Sequence, residues 1–414
     1  MATNMETTKS QRGFTLLELL VASSLGIIVI LAMTSLFKTG MDATFTVTQR
    51  LEVQQNMRAA IELMGEDISH AGAGLPTGGL SLVQGGTVSK IGCDQQTGTC
   101  YLPNGTYPNS GLGVPNFMYG IIPGFTNGVQ GSVKIPNATG QVNDSITSIY
   151  ADYNFPLTNF KFSVTDATHV AVTLRPLPFV TDTTQPTNIL AAGGLNGLGG
   201  DVLLFLVNVP GTGKASDPNG NSLVLNASVA AEVTAVTGTV GTTACTQASG
   251  CTWTLTFATG DALNLNQTGA TTNNLGAVSA AVAANPATAQ TSVSRLNVVS
   301  YFLQVPTTAG IVQTPRLMRQ VSGFTPVPVA DNVINLQFSY DVIDSVKGTI
   351  NANLADPIGA GQSPSLIQKI NMAIMGESLT SGGNKSQSMY LMSSVAARDM
   401  SFCNSYSDSS TVCQ

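Results

Sequence analysis

The chain has 414 residues, of which 10% are charged, a formal net charge of −6 and 42 glycines. So few charges, with Thr, Ser, Asn and Gln in their place, are unusual for a cytosolic protein and suit an exported, β-rich one. The acidic balance leaves no basic footprint for nucleic acid.

The first predicted element is an apolar helix. Between Phe14 and Phe37 the only charged side chain is Glu18. At 1.5 Å per residue this run reaches about 36 Å, enough to span a bilayer. Lys9 and Arg12 precede it on a short segment and Lys38 follows it. Basic residues on the short side favour an N-terminus inside and the rest of the chain outside. The apolar run is too long for a secretory signal, and its small residues, "SSLG", lie in the middle rather than at a cleavage site. A plain membrane anchor explains the length but not Glu18, because a carboxylate in mid-bilayer costs about 2.5–3.5 kcal/mol.

The stretch "KSQRGFTLLELL" (residues 9–20) carries the explanation. It resembles the class III signal of type IV prepilins and their pseudopilin relatives. The resemblance implies cleavage by a prepilin peptidase between Gly13 and Phe14, on the cytoplasmic side, and N-methylation of Phe14. It also makes Glu18 the carboxylate that governs assembly. The residue types fit this chemistry. Gly13 lets extended backbone enter a protease cleft. The cut creates an α-ammonium at Phe14, and a carboxylate in a low-dielectric filament core needs such a partner. A buried charge satisfied only at one axial offset sets register. The expected organisation begins with a leader over residues 1–13 and a transmembrane or filament-core helix over 14–37.

No proline occurs before Pro76, so the helix is expected to continue, amphipathic, through 38–72. Met57, Ile61, Met64 and Ile68 recur at helical spacing and form one apolar stripe, read as core. Arg58 and Glu62 make an i,i+4 pair on the opposite side. "AGAG" at 71–74 and Pro76 supply the stop. The whole helix, Phe14 to about His70, would measure about 85 Å. The run "QQNMRAAIELMGEDISHAG" resembles PilW-type minor pilins through Gln55, Met57, Arg58, Ala59, Ala60, Asp67, Ile68, Ala71 and Gly72, and departs from them at Ser69, where Arg is usual.

Residues 73–159 are rich in Gly, Pro and Asn and read as an irregular insertion with short strands. Residues 160–414 read as a β-rich globular domain. Its strand signals are "KFSVTDATHVAVTLRP", "DVLLFLVNV", "SLVLNASVAAEVTAVTG", "TWTLTFATG", "RLNVVSYFLQV", "PRLMRQVSG", "NVINLQFSYDVID", "QKINMAIMGES" and "SMYLMSSVAARDM". Helix is expected in parts of 275–290 and 362–372, and a loop at 191–201. The predicted fold class is α+β: one long N-terminal helix packed on a mainly antiparallel β-domain with local disulfides.

Six cysteines fall into three local pairs, Cys93/Cys100, Cys245/Cys251 and Cys403/Cys413, each closing a turn-rich loop. In an oxidising compartment these read as disulfides. A metal site is the competing reading, but the sequence has no C-x-x-C and only His70 and His169 as histidines. Asp217, Asn219 and Asn221 are spaced like the opening of a calcium loop, although Ser228 stands where its downstream acid belongs and "DPNGNS" also makes an ordinary turn. "NVPGTGKAS" departs from a phosphate loop at Asn208 and Ala215. No catalytic residue and no cofactor are expected.

The resemblance implies a minor pilin of a type IV pilus, not an enzyme. It would enter the inner membrane as a single-pass protein with a periplasmic C-terminal domain, then join the filament outside the cell. Its partners would be prepilin peptidase, other major and minor pilins and the inner-membrane assembly platform. Two alternatives stand beside it: a J-like minor pseudopilin of type II secretion, and a tip adhesin or ligand-binding module.

Overall fold

The computed structural model describes residues 13–76, 79–81, 117–124, 143–152, 157, 160–164, 171–176, 199–210, 223–238, 253–267, 274–286, 289–305, 307–308, 311–312, 314–343, 349–357, 364–378, 387–397 and 400. The chain forms two compact units, residues 1–52 with 378–387, and residues 53–377 with 388–414. The helix α1 (Leu16–Ser69) contributes to both.

In the first unit, residues 16–37 of α1 are apolar on every side apart from Glu18. Leu20, Ile27, Leu31, Leu36 and Met41 are all exposed. It is the one helix among the described residues long and apolar enough to cross a membrane, with a mean hydropathy of 2.5 over its most apolar window. Its hydroxyls do not break this character. Ser23 and Ser24 donate to carbonyls three residues back, and Thr34, Thr39, Thr44, Thr46 and Thr48 to carbonyls four back. A hydroxyl satisfied by its own helix no longer needs water.

In the second unit α1 becomes one-sided. Val53, Met57, Ala60, Ile61, Met64, Asp67 and Ile68 are buried, while Arg58 and Glu62 are exposed. The predicted stripe is therefore the core-facing side. The helix ends where Gly72 takes φ 89° and Gly74 φ 71°, a left-handed backbone that glycine adopts without strain.

The remaining elements are β1 (Leu80–Ser81), β2 (Phe117–Met118), β3 (Ile121–Gly124), β4 (Ser145–Asp152), β5 (Phe160–Val164), β6 (Ala171–Pro176), β7 (Val202–Pro210), β8 (Leu223–Glu232), β9 (Ala235–Gly238), β10 (Trp253–Thr256), α2 (Leu275–Ala284), β11 (Gln290–Gln304), β12 (Thr307–Thr308), β13 (Ile311–Val312), β14 (Arg316–Val321), β15 (Val327–Asp331), β16 (Val333–Ile343), β17 (Ile350–Leu354), β18 (Ile367–Ser378) and β19 (Gln387–Ala396). The largest sheet has the order β15-β14-β11-β4-β3, with β7 and then β8 added along the other half of β11. β11 is its spine. Residues 299–304 pair with β14, 290–296 with β7, and 295–301 with β4 on the opposite edge, all antiparallel. A second sheet runs β17-β16-β18-β19, and a third β5-β6-β10-β9.

The helix stripe belongs to one apolar cluster with Val299, Tyr301 and Leu303 of β11, Leu336, Phe338 and Tyr340 of β16, and Ile370, Met372 and Ile374 of β18. Close approach is allowed where β18 carries Gly376, since a Cβ there would meet Met57 Sδ at 2.7 Å. A second cluster gathers Leu204, Leu296 and Val298 with Met118, Tyr119 and Ile122. A third packs Phe160, Phe162, Phe205, Trp253 and Phe257, partly edge to face, beneath α2.

The α+β class stands: a long N-terminal apolar helix and a β-rich antiparallel domain. One expectation needs correction. Helix in parts of 362–372 reduces to a 3₁₀ turn, Pro364–Leu366, and β18 begins at Ile367. Ile370, Met372 and Ile374 alternate toward the core with period two, and that burial decides in favour of strand.

Candidate functional site

The first candidate site is the start of α1. Gly13, Phe14 and Thr15 precede the helix in extended or irregular backbone, and Phe14 is 88% exposed. Among the described residues nothing lies within 4 Å of the position a Cβ would take on Gly13. Thr15 and Glu18 form a reciprocal cap. The Glu18 N–H donates to Thr15 Oγ1 at 3.3 Å, and Glu18 Oε2 accepts from the Thr15 N–H at 3.0 Å and from its hydroxyl at 3.1 Å. This is the T-x-x-E capping box, which satisfies otherwise orphaned donors at a helix start. It has two consequences. The helix begins at Leu16, so the Gly13–Phe14 peptide stays outside it. The carboxylate that an apolar helix should not carry has a local partner. Sequence reasoning named Gly13, Phe14 and Glu18 but passed over Thr15, although the spacing Thr15-x-x-Glu18 was there to read.

The second site lies in the globular unit, where the end of α1 meets β4, β11 and β14. Asp67 is buried on the helix stripe. Arg319 grips it bidentately, Nε to Oδ2 at 2.8 Å and Nη2 to Oδ1 at 3.0 Å. Tyr150 donates its hydroxyl to Oδ1 at 2.8 Å, and Tyr301 donates to Oδ2. Each carboxylate oxygen thus accepts two hydrogen bonds, the full capacity of the group. Burial, reinforced by the Asp67 charge, pushes both tyrosine hydroxyls above their ordinary pKa. The hydrogen bonds to Asp67 hold Arg319 firmly in its charged form. A saturated carboxylate has no acceptor left for a substrate. The cluster anchors the helix to three strands of the sheet. Its sequence signal was an Asp placed within an apolar stripe. Of the residues that carried the resemblance to PilW-type proteins, Met57, Ala60, Asp67, Ile68 and Ala71 are buried here, which gives those positions a packing role.

Two further charged clusters are structural in the same sense. Arg295 bridges Asp152 and Asp201, with Nε 3.1 Å from Asp152 Oδ2 and Nη1 3.6 Å from Asp201 Oδ2. Glu232 accepts from the backbone N–H groups of Ala262 and Leu263, and Asp261 from those of Leu265 and Asn266. Burial pushes the Glu232 carboxyl up, and the neighbouring Asp261 adds to the shift. Among the described residues no group of three or more His, Cys, Asp or Glu is placed to hold a metal ion. Cys93, Cys100, Cys245, Cys251, Cys403, Cys413 and the calcium candidates Asp217, Asn219 and Asn221 lie outside the described residues.

Comparison with protein families matches residues 8–34 to the prokaryotic N-terminal methylation motif. The match contains Gly13, Phe14, Thr15 and Glu18 and ends within the apolar helix. Comparisons with curated proteins and with solved structures found no match. The motif and the apolar helix together support a prepilin-type, pilin-like or pseudopilin protein anchored in the inner membrane by a single pass. They point to a structural protein rather than an enzyme, and imply processing by prepilin peptidase and association with pilins or their assembly machinery.

Proposed function

We propose that this protein is a minor pilin of a type IV pilus. It is inserted as a prepilin, cut between Gly13 and Phe14, methylated on Phe14, and then acts in initiation of the filament or at its tip. The observation that carries the reading is Glu18 within the methylation motif, one carboxylate at the head of a helix whose apolar side chains between Leu16 and Phe37 are exposed. Such a helix is stable in a bilayer or against other helices of its kind. The capping box gives Glu18 a place to rest before assembly. Cleavage then supplies the ammonium of Phe14 in the same segment, and a neighbouring subunit's Phe14 offers the same charge. The carboxylate becomes a registry element, best satisfied when helices dock at one axial offset.

The large globular unit supports a position at the tip, where a bulky domain has room that it lacks between side-by-side copies. The PilW-like run from Gln55 to Gly72 supports the minor-pilin assignment. A Glu18→Ala variant tests the registry role: it should reach the membrane and be processed, yet be depleted from sheared filaments. Normal incorporation would show that Glu18 sets no register.

A further inference from the structure

We infer that residues 153–294 are an accessory module set between the paired strands β4 and β11, and that its outer layer, once weakened, loses its order while the rest of the globular unit still serves assembly. The inference rests on the function proposed above and deepens it, by separating the part of the globular unit that assembly uses from a part added to it.

β4 and β11 are direct neighbours, and Asp152 at the end of β4 is the pairing partner of Arg295 in β11. Antiparallel strands in that register need only a tight turn between them. Residues 153–294 stand in its place and supply β5 to β10, α2 and the start of β11.

Two apolar cores lie on one face of the same sheet without merging. Every second residue of β11 points to that face. Val293 belongs to the cluster beneath α2, and Val299, Tyr301 and Leu303 belong to the cluster of the α1 stripe. Between them stand Arg295 and Asn297, both polar and half-buried. Arg295 reaches Asp152 of β4 at 3.1 Å and Asp201, just before β7, at 3.6 Å. A row of paired charges thus divides the apolar surface. The same division holds along the chain. Among the described residues, every member of the α2 cluster lies from Leu157 to Val293, and no member of the α1 cluster lies from 151 to 298.

β7 marks the border. Its Leu203, Phe205 and Val207 belong to the α2 cluster, while Val202 and Leu204 join Ile149, Leu296 and Val298 in the second cluster, on the reverse face. That reverse cluster ties β7 and β8 to the body of the unit. The layer of β5, β6, β10 and α2 has no such tie among the described residues. Its buried apolar side chains, Phe160, Leu174, Trp253 and Val278 among them, belong to the α2 cluster alone.

The dependence therefore runs one way. The layer is built on β7 and β8, which pair through β11 with the body, so unfolding of the body takes the layer with it. Loss of the layer spares the body, because a region with its own core opens at its own free energy. What holds α1 lies outside 153–294: Asp67 with Tyr150, Tyr301 and Arg319, and the apolar partners Phe338 and Ile370.

The test uses the full chain in cells that process it. Trp253 is fully buried and meets Phe160 edge to face at 5.6 Å. Trp253→Ala should speed proteolytic cutting within 153–294 about tenfold or more in the detergent-purified chain, since a large-to-small core change raises the open population that a protease meets. Residues 295–378 should stay as resistant as in the native chain, and entry into sheared filaments should stay within about twofold of native, because distant sites act independently. Phe338→Ala, in the α1 cluster, should instead lower filament entry about tenfold or more. Val278→Ala, on α2, is the second variant should Trp253→Ala be lost from cells before processing, and it should localise the cuts in the same way. Five results would overturn the inference: cutting within 153–294 no faster than native, cuts that spread into 295–378, filament entry falling with the α2-core variants as far as with Phe338→Ala, entry unmoved by Phe338→Ala, or loss of both α2-core variants from cells. If the chain is never cut between Gly13 and Phe14, the functional reading fails, and the position of the proteolytic cuts still decides the modular one.

Discussion

Replacing Asp67 by Asn tests whether α1 is held to the sheet by charge or by shape. The two side chains are nearly isosteric, so packing is kept while the charge is lost. In the native cluster Arg319 and the two tyrosines supply four hydrogen bonds to the carboxylate. Asparagine retains one acceptor oxygen, enough for Tyr150 and Arg319 Nη2. Its amide then faces Tyr301, which can rotate and accept, and Arg319 Nε, which cannot. One charge-assisted bond is lost, worth about 1.5–3 kcal/mol, and the guanidinium is left without a counter-charge. Breaking a fully buried pair costs about 3–5 kcal/mol. The Arg319 side chain is 23% exposed and that of Asp67 6%, so water compensates in part. The expected loss is about 2–3 kcal/mol. Equilibrium unfolding of the full chain in detergent, followed by the fluorescence of Trp253, the sole tryptophan, measures it. A double-mutant cycle with Arg319→Met separates pairing from packing, and the two changes together should be less destabilising than their sum by about 1–3 kcal/mol. A loss below about 0.5 kcal/mol for Asp67→Asn, or strict additivity in the cycle, would refute the anchoring role.

Two more predictions come from the same geometry. Thr15→Val removes the capping hydroxyl but keeps the shape; a lost cap is worth about 1 kcal/mol, so amide exchange at Glu18 should quicken about fivefold in micelles, and an unchanged rate would mean that the box does not hold the helix start. Tyr150 and Tyr301 have folded pKa values raised above their ordinary 10.0 by burial and by Asp67. Their contribution to stability is therefore complete below pH 10.0 and is lost as pH rises through the folded values. Unfolding midpoints should fall steeply on the alkaline side, and Tyr301→Phe should flatten that fall; a slope identical in the two proteins would contradict it.

The helix was legible because its signals are local. An uninterrupted apolar run, a stripe from Met57 to Ile68 and a Gly-Pro stop each stand in one window of sequence. Most strands were legible for the same reason, as β-branched runs between Gly, Pro and Asn. β4 was not. "SITSIYAD" mixes hydroxyls with apolar residues inside a turn-rich region, and its inner place comes from pairing with β3 and β11, which no local pattern reveals. Before β18 the expected helix in parts of 362–372 overlapped the strand read in "QKINMAIMGES", and the overlap goes to the strand because the facing sheet and helix bury alternate residues from Ile370 on. At the N-terminus the motif stated the chemistry, and the Thr15-x-x-Glu18 spacing that gives Glu18 its local partner was equally local, a capping box that went unread. Asp67 was visible as a charge in an apolar stripe, but its three partners lie between 83 and 252 residues away in sequence.

The central claim is that the mature protein begins with Phe14, the residue that follows Gly13. Mass analysis of the N-terminal peptide from cells with active prepilin peptidase tests it most directly. The account predicts a peptide that starts at Phe14 and carries one methyl group on its α-nitrogen. A peptide that still contains the residues before Gly13 would contradict it.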